Sequence, residues 1–221
     1  MAGVTAIGSR PLRADARRNR DKLVTAAAKV FARRGLAAPL EDVAREAGVS
    51  IGTLYNHFPT REELVDAVFR DRLTGLDRVA AEALADPDPW NGFVVFMEGL
   101  FALQAEDRGL NEALAAGFTA ASGMEEACGR GMRDLGRVIE RARDAGALRP
   151  DFEASDVALL VLGMSRVIGE SMEVVPGAWR RCLRFYLDGL RPGAANPSDV
   201  PALTSGELAE IAARSRPPAR G

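Results

Sequence analysis

The 221-residue chain contains only two cysteines, Cys128 and Cys182, and one histidine, His57. These residues are too few for a disulfide scaffold or an ordinary zinc site, so we expect no metal and no cofactor. No apolar run approaches the roughly 20 residues of a membrane span. The first residues also lack the apolar stretch of a secretory signal. These absences predict a cytoplasmic protein with no membrane partner.

Aromatic residues are scarce, at 6% of the chain, whereas apolar residues make up 47% of it. The net charge is only −2, but the charges are unevenly distributed. Residues 1–61 hold 11 Lys and Arg against 5 Asp and Glu, and residues 62–221 hold 18 against 26. A basic first quarter on an acidic remainder indicates a polyanion-binding module joined to a body with another task. Chance asymmetry on a solvated surface would give the same numbers, so charge alone does not decide.

Apolar residues recur at helical spacing along most of the chain, and no convincing pair of alternating strands is present. In the first helical pattern Leu23, Ala27, Val30 and Phe31 share one face. We therefore expect an all-α fold of about nine helices. The expected segments are a flexible basic arm (1–13), a three-helix unit (14–60), a helical body (61–190) that begins with a long helix (61–84), and a tail (191–221). The tail is rich in Pro, Gly, Ala and Ser, so we expect disorder there, with at most a weak helix near residues 206–214.

The stretch VSIGTLYNHF, residues 49–58, follows a short helix that Gly48 ends. A helix, a tight turn and a second helix in this order have the spacing of a helix-turn-helix. Leu54 and Phe58 lie four residues apart and can face inward, which leaves most of the polar side chains outside. Such a helix fits the major groove of DNA, where hydroxyl, amide and apolar groups meet phosphates and base edges. The outward positions are Ser50, Ile51, Gly52, Thr53, Tyr55, Asn56 and His57.

Other interpretations of this stretch are weaker. No Ser, Cys or carboxylate pattern around His57 suggests a catalytic triad, so we assign no catalytic residue and expect no enzyme. Tyr55 could instead be partly packed, and Asn56 could be only solvated.

The segment from about Ala16 to Arg72 resembles the DNA-binding domain of the TetR family of transcriptional regulators. The resemblance rests on G-V-S-x-G-T-L-Y-x-H-F followed by a helix start of the form x-x-[KR]-E-x-L, and it covers about a quarter of the chain. It implies that residues 14–60 bind DNA, that helix 61–84 is a link, and that the body binds a small effector and forms a homodimer. Most members are repressors that leave DNA when the effector binds.

The resemblance assigns DNA contacts to Ser50, Ile51, Gly52, Thr53, Tyr55, Asn56 and His57. It adds Arg61 as a phosphate contact, and Arg17 and Arg18 near the start of the first helix as backbone or minor-groove contacts. One position departs from the family pattern. Pro39 stands where the family often has a threonine that caps the second helix and touches phosphate, which puts that contact in doubt.

The helices around residues 156–190 are apolar enough to pair with a second copy, although both could equally be internal core. A two-fold dimer would bind a palindromic operator. Soft and aromatic side chains of the body could line an apolar effector pocket, although plain core is the more frequent role of such residues. These candidates are Phe93, Phe96, Met97, Phe101, Phe118, Met124, Met132 and Met164.

Two alternatives stay open at this point. The chain could be an all-helical enzyme or small-molecule carrier whose N-terminal helices are only structural. It could also be an activator, or a regulator that needs no ligand. Neither the effector nor the regulated genes follow from the sequence.

Overall fold

The computed structural model describes residues 10–115, 122–194, 196 and 198–214. The described residues form ten α-helices and no strand, which confirms the all-α expectation. The helices are α1 (Arg10–Arg34), α2 (Leu40–Ala47), α3 (Ile51–His57), α4 (Arg61–Ala85), α5 (Pro89–Glu106), α6 (Arg108–Ala115), α7 (Ser122–Asp144), α8 (Ala154–Ser171), α9 (Ala178–Gly189) and α10 (Ser205–Arg214), with a 3₁₀ turn at Pro192–Ala194.

Two outcomes differ from the expected segments. The first helix begins at Arg10, inside the segment predicted as a flexible arm, and residues 1–9 lie outside the described part. The tenth helix, α10, lies in the tail predicted as disordered, at the place where a weak helix was considered. The tail is also tied to the body, since the Arg149 guanidinium donates to the carbonyl of Asn196 at 2.7 Å.

The short helices of the first unit begin and end where local chemistry dictates. Gly48 adopts the left-handed conformation, with φ of 69°, and its N–H bonds to the end of α2, so glycine stops this helix. The Ser50 hydroxyl accepts a hydrogen bond from the N–H of Thr53 at 3.2 Å and caps α3. The Thr60 hydroxyl caps α4 in the same way through the N–H of Glu63.

The buried apolar side chains form two cores. The first, the head core, joins α1, α2 and α3 through residues such as Phe31, Val43 and Leu54. The second, the body core, joins α5, α7, α8 and α9 around Phe93, Met97 and other large side chains. The long helix α4 contributes side chains to both cores. Within the described residues no helix is both long and apolar enough to cross a membrane.

Candidate nucleic-acid interface

The inner face of α3 packs on the head core. Leu54 has no exposed surface and Phe58 is 2% exposed, so these two side chains fix the helix to α1 and α2. The Arg20 guanidinium lies 4.9 Å from the centre of the Phe58 ring, which ties α1 to the end of α3. No local sequence pattern indicates this contact, because the two residues are 38 positions apart.

The other face of α3 is open to solvent. Tyr55 is 47% exposed, Ser50, Gly52 and Asn56 are exposed, and Ile51, Thr53 and His57 are half-buried. The structure therefore places six of the seven predicted residues on one short, accessible surface, which we call the α3 surface, whereas the Ile51 side chain packs partly against the head core. The Ser50 and Thr53 hydroxyls lie 2.9 Å apart and form a hydrogen-bonded pair at its N-terminal end.

Among the described residues, none packs so closely on Gly52 that a larger side chain would be excluded. A Cβ atom at this position would meet only the Ser50 hydroxyl, at 3.9 Å. Glycine inside a helix costs roughly 0.5–1 kcal/mol relative to alanine. A glycine that no packing contact with the described residues requires fits a surface that another molecule approaches closely.

The basic residues of α1 divide into two groups. Those near its C-terminal end pair with acids of α2, because Arg34 contacts Asp42 and both Lys29 and Arg33 contact Glu46. Towards the N-terminal end Arg17 and Lys22 are exposed. Among the described residues Arg17 and Lys22 have no ion-pair partner. Because Arg20 joins this end of α1 to the end of α3, these basic residues would add attraction for phosphate.

Two further predicted contacts have intramolecular partners. Arg18 is exposed and pairs with Asp15 one turn away. Arg61 is half-buried, and its Nη1 donates to the carbonyls of Leu36 and Ala38 at 2.7 and 2.8 Å. Arg61 therefore holds the turn between α1 and α2, and its contact with phosphate stays a prediction.

The predicted effector residues that the structure describes lie mostly in the body core. Phe93, Phe96, Met97, Phe101 and Met164 are all 2% exposed or less, and they pack against neighbouring side chains. Met132 is instead 43% exposed. Phe118 and the side chain of Met124 lie outside the described residues. The open cleft of about 510 Å³ between α5 and α9 is lined by other residues, including Trp90, Glu98 and Arg184.

The body core also holds polar side chains, which the sequence analysis missed. Gln104, Asn111 and Ser165 are buried. The Ser165 hydroxyl donates to Gln104 Oε1 at 2.9 Å, and Asn111 Nδ2 donates to the carbonyl of Ser165 at 3.0 Å. Asn111 Oδ1 has no hydrogen-bond partner among the described residues. Buried polar groups are normally paired, so a free acceptor here is unusual.

A capped helix-turn-helix with an exposed polar recognition face, set on a helical body, defines a DNA-binding regulator. The family of bacterial regulatory proteins, tetR family, matches residues 23–68, and the SbtR-like transcriptional regulator C-terminal domain matches residues 88–192. The chain belongs to the TetR family of transcriptional regulators.

Individual relatives agree with this assignment. A TetR transcriptional regulator of Streptomyces coelicolor, SCO0520, is 32% identical, with 78% of this chain and 98% of that one covered and a TM-score of 0.54. A TetR regulatory protein of Mycobacterium vanbaalenii is 35% identical, with 82% and 99% covered and a TM-score of 0.51. The transcriptional repressor KstR2 of Mycolicibacterium smegmatis is 47% identical over 58 residues, which is 26% of this chain but only 28% of that repressor.

Proposed function

We propose that this chain is a homodimeric repressor that binds a palindromic operator through the α3 surface and leaves it when a small, largely apolar effector binds the body. The observation that carries the DNA-binding part is the division of α3 into a fully buried Leu54 and an exposed polar face. The named repressor KstR2 resembles this chain over the DNA-binding segment, which supports repression.

The residues that would touch DNA have separate roles. Hydroxyls of Ser50, Thr53 and Tyr55 would bond to phosphate oxygens, and the Asn56 amide would bond to a base edge. Arg17 and Arg18 would add attraction to the backbone. Because this part of the binding releases counterions, affinity should fall as salt rises.

Dimerisation through residues 156–190 is supported by apolar side chains on the outside of α8 and α9. The inner face of α9 places Trp179, Leu183 and Leu187 in the body core. On its other side Phe185 is 62% exposed and Tyr186 is 50% exposed. The outer side of α9 also carries arginines, and two large aromatic side chains exposed among them favour a second partner that covers them.

The body core would open to accept the effector. There, aromatic and Met side chains lie beside three buried polar residues, Gln104, Asn111 and Ser165. Methionine side chains repack readily, which suits a site that forms around its ligand. The free acceptor at Asn111 Oδ1 favours an effector with an apolar body and a hydrogen-bond donor.

Selection of duplexes from fragmented genomic DNA with the purified protein, at moderate salt, tests the proposal. We expect enrichment of a palindrome. Recovery of no common sequence would contradict DNA-binding regulation. Deletion of the gene, followed by measurement of transcription next to the selected operators, should raise transcription if the protein is a repressor and lower it if it is an activator.

A further inference from the structure

Helix α6 contacts both the head core and the helices of the body. Its Leu110 and Ala113 are buried in the head core, although α6 follows the whole of α5 in the chain. From the same helix Asn111 donates to the carbonyl of Ser165 on α8. Asp107, directly before the helix, pairs with Arg72 of α4. A movement of α8 or α5 would therefore reach the head through α6.

Helix α6 also forms a polar contact with Leu36, which lies in the turn between α1 and α2. Glu112 Oε2 accepts a hydrogen bond from the N–H of Leu36 at 2.7 Å. The carbonyl of the same Leu36 accepts from Arg61 at 2.7 Å. The main chain of Leu36 is thus held from the body side by Glu112 and from the head side by Arg61. We call these three residues the Leu36 junction.

The neighbouring residues leave room for the carboxylate and orient it. Gly35 has φ of +75°, and a Cβ atom there would lie 2.3 Å from Glu112 Oε1, so a side chain at this position would collide with Glu112. Arg108 Nε donates to Glu112 Oε1 at 2.9 Å and fixes the second carboxylate oxygen. One oxygen of Glu112 is therefore directed at the turn and the other at its own helix.

We infer that Glu112 is a positioning residue for DNA binding: its hydrogen bond to Leu36 sets the angle at which the body holds α2 and α3. This inference rests on the proposed function and deepens it. Helices α2 and α3 follow the turn directly and share the head core through Val43 and Leu54. They therefore move with the turn. Without the Glu112 bond α2 and α3 sample more orientations relative to the body, and this added freedom must be removed when DNA binds.

The test compares Glu112→Ala with Glu112→Gln in the full-length protein. Alanine removes the acceptor, whereas glutamine keeps an amide oxygen that can accept from Leu36. Asp86→Ala is the matched control, because Asp86 also accepts hydrogen bonds at a turn, from Asn91 Nδ2 and the N–H of Asp88, but at the far end of α4. The readouts are hydrogen exchange of the Leu36 amide and affinity for the selected palindrome.

We expect Glu112→Ala to expose the Leu36 amide to exchange and to weaken operator binding about 5- to 10-fold, because only part of the roughly tenfold or greater effect of a lost hydrogen bond to a charged group reaches the DNA contact. Glu112→Gln should stay within about 2-fold of the wild type. Asp86→Ala should lower the melting temperature without changing operator affinity.

Since coupling between sites is reciprocal, operator DNA should also slow exchange in α6 and α8 of the wild type, and this change should shrink in Glu112→Ala. Equal operator affinity of Glu112→Ala and the wild type would overturn the inference, as would an equal loss in Asp86→Ala. If the wild type itself selects no operator, the proposed function fails, and the inference fails with it. If the wild type binds and Glu112→Ala binds equally, only the inference fails.

Discussion

Leu54 and Tyr55 are neighbours in the chain and lie in opposite environments. Leu54 is fully buried, and Tyr55 exposes nearly half of its side chain. On a helix, successive residues point about 100° apart, so one buried leucine and one buried phenylalanine four positions later suffice to orient all the others. This is why the sequence alone could predict which side of α3 faces solvent, although Ile51 packs partly against the head core and the DNA contacts themselves stay a prediction.

Other individual residues could not be predicted. The role of Arg61 in holding the turn depends on carbonyls more than 20 positions away, and no local pattern reports such a contact. The same holds for Glu112, which reaches Leu36 across 76 positions. Phe93 and Met97 would have the same helical spacing in a ligand pocket as in a packed core, so periodicity could not separate these two roles.

The burial of Asp66 predicts how the stability of the fold depends on pH. It is buried on α4, and its Oδ1 has no hydrogen-bond partner among the described residues. Burial raises the pKa of this carboxyl above its ordinary value, partly offset by the nearby charge of Arg70. The unfolded chain therefore loses this proton at lower pH than the folded one, and stability falls as pH rises from about 4 through the raised pKa.

We expect Asp66→Asn to raise the melting temperature at neutral pH, because the amide avoids the cost of a buried charge. The gain should shrink as the pH falls to about 4, where the carboxyl is protonated in both states. Thermal denaturation followed by circular dichroism between pH 4 and 8 measures this. Asp77→Asn on the same helix serves as the control and should change stability by less than about 0.5 kcal/mol. A gain that does not depend on pH would contradict the explanation.

At the scale of helices, the long helix predicted over residues 61–84 spans Arg61–Ala85. Agreement was good where a capping residue, a glycine or a proline marks the end. The start of α1 lies outside the periodic apolar pattern. Helix α10 does have a start signal, a capping box in which the Thr204 hydroxyl accepts from the N–H of Glu207 and the Glu207 carboxylate accepts from the N–H of Thr204, but the composition of the tail pointed to disorder.

The close packing of α6 on α1 predicts how a larger residue between these two helices would change stability. A Cβ atom on Gly109 would lie 2.9 Å from Phe31 Cβ and 3.0 Å from its carbonyl oxygen, closer than packed atoms allow. Gly109→Ala should therefore push α6 away from α1 and destabilise the fold by about 1–3 kcal/mol. Gly136→Ala in α7 is the matched control, because a Cβ atom there meets nothing within 4 Å.

The control should be neutral or stabilising by up to about 1 kcal/mol, since alanine is the better helix former. Chemical denaturation of both variants provides the comparison. Equal stability of Gly109→Ala and the wild type would mean that α1 and α6 are not in close contact.

At the scale of the whole molecule, the exposed aromatic side of α9 predicts a dimer. We expect the wild type to elute with about twice the 23.6 kDa mass of one chain, and Phe185→Asp combined with Tyr186→Asp to elute as a monomer. Burying two unpaired carboxylates in an apolar interface is strongly unfavourable. Size-exclusion chromatography with light scattering measures both masses.

Val200→Asp is the control for that experiment. Val200 is 74% exposed but lies outside residues 156–190, so its replacement should leave the dimer intact. A double variant of Phe185 and Tyr186 that remains dimeric would place the interface elsewhere.

The central claim is that the α3 surface binds the operator. Its most direct measurement is the affinity of Tyr55→Ala combined with His57→Ala for the selected palindrome, at fixed salt, beside the wild type. Both side chains lie outside the head core, so the variant should keep its melting temperature and bind about tenfold or more weakly, since each lost base or phosphate contact costs roughly 1–3 kcal/mol. A folded variant that binds the palindrome with wild-type affinity would contradict the account.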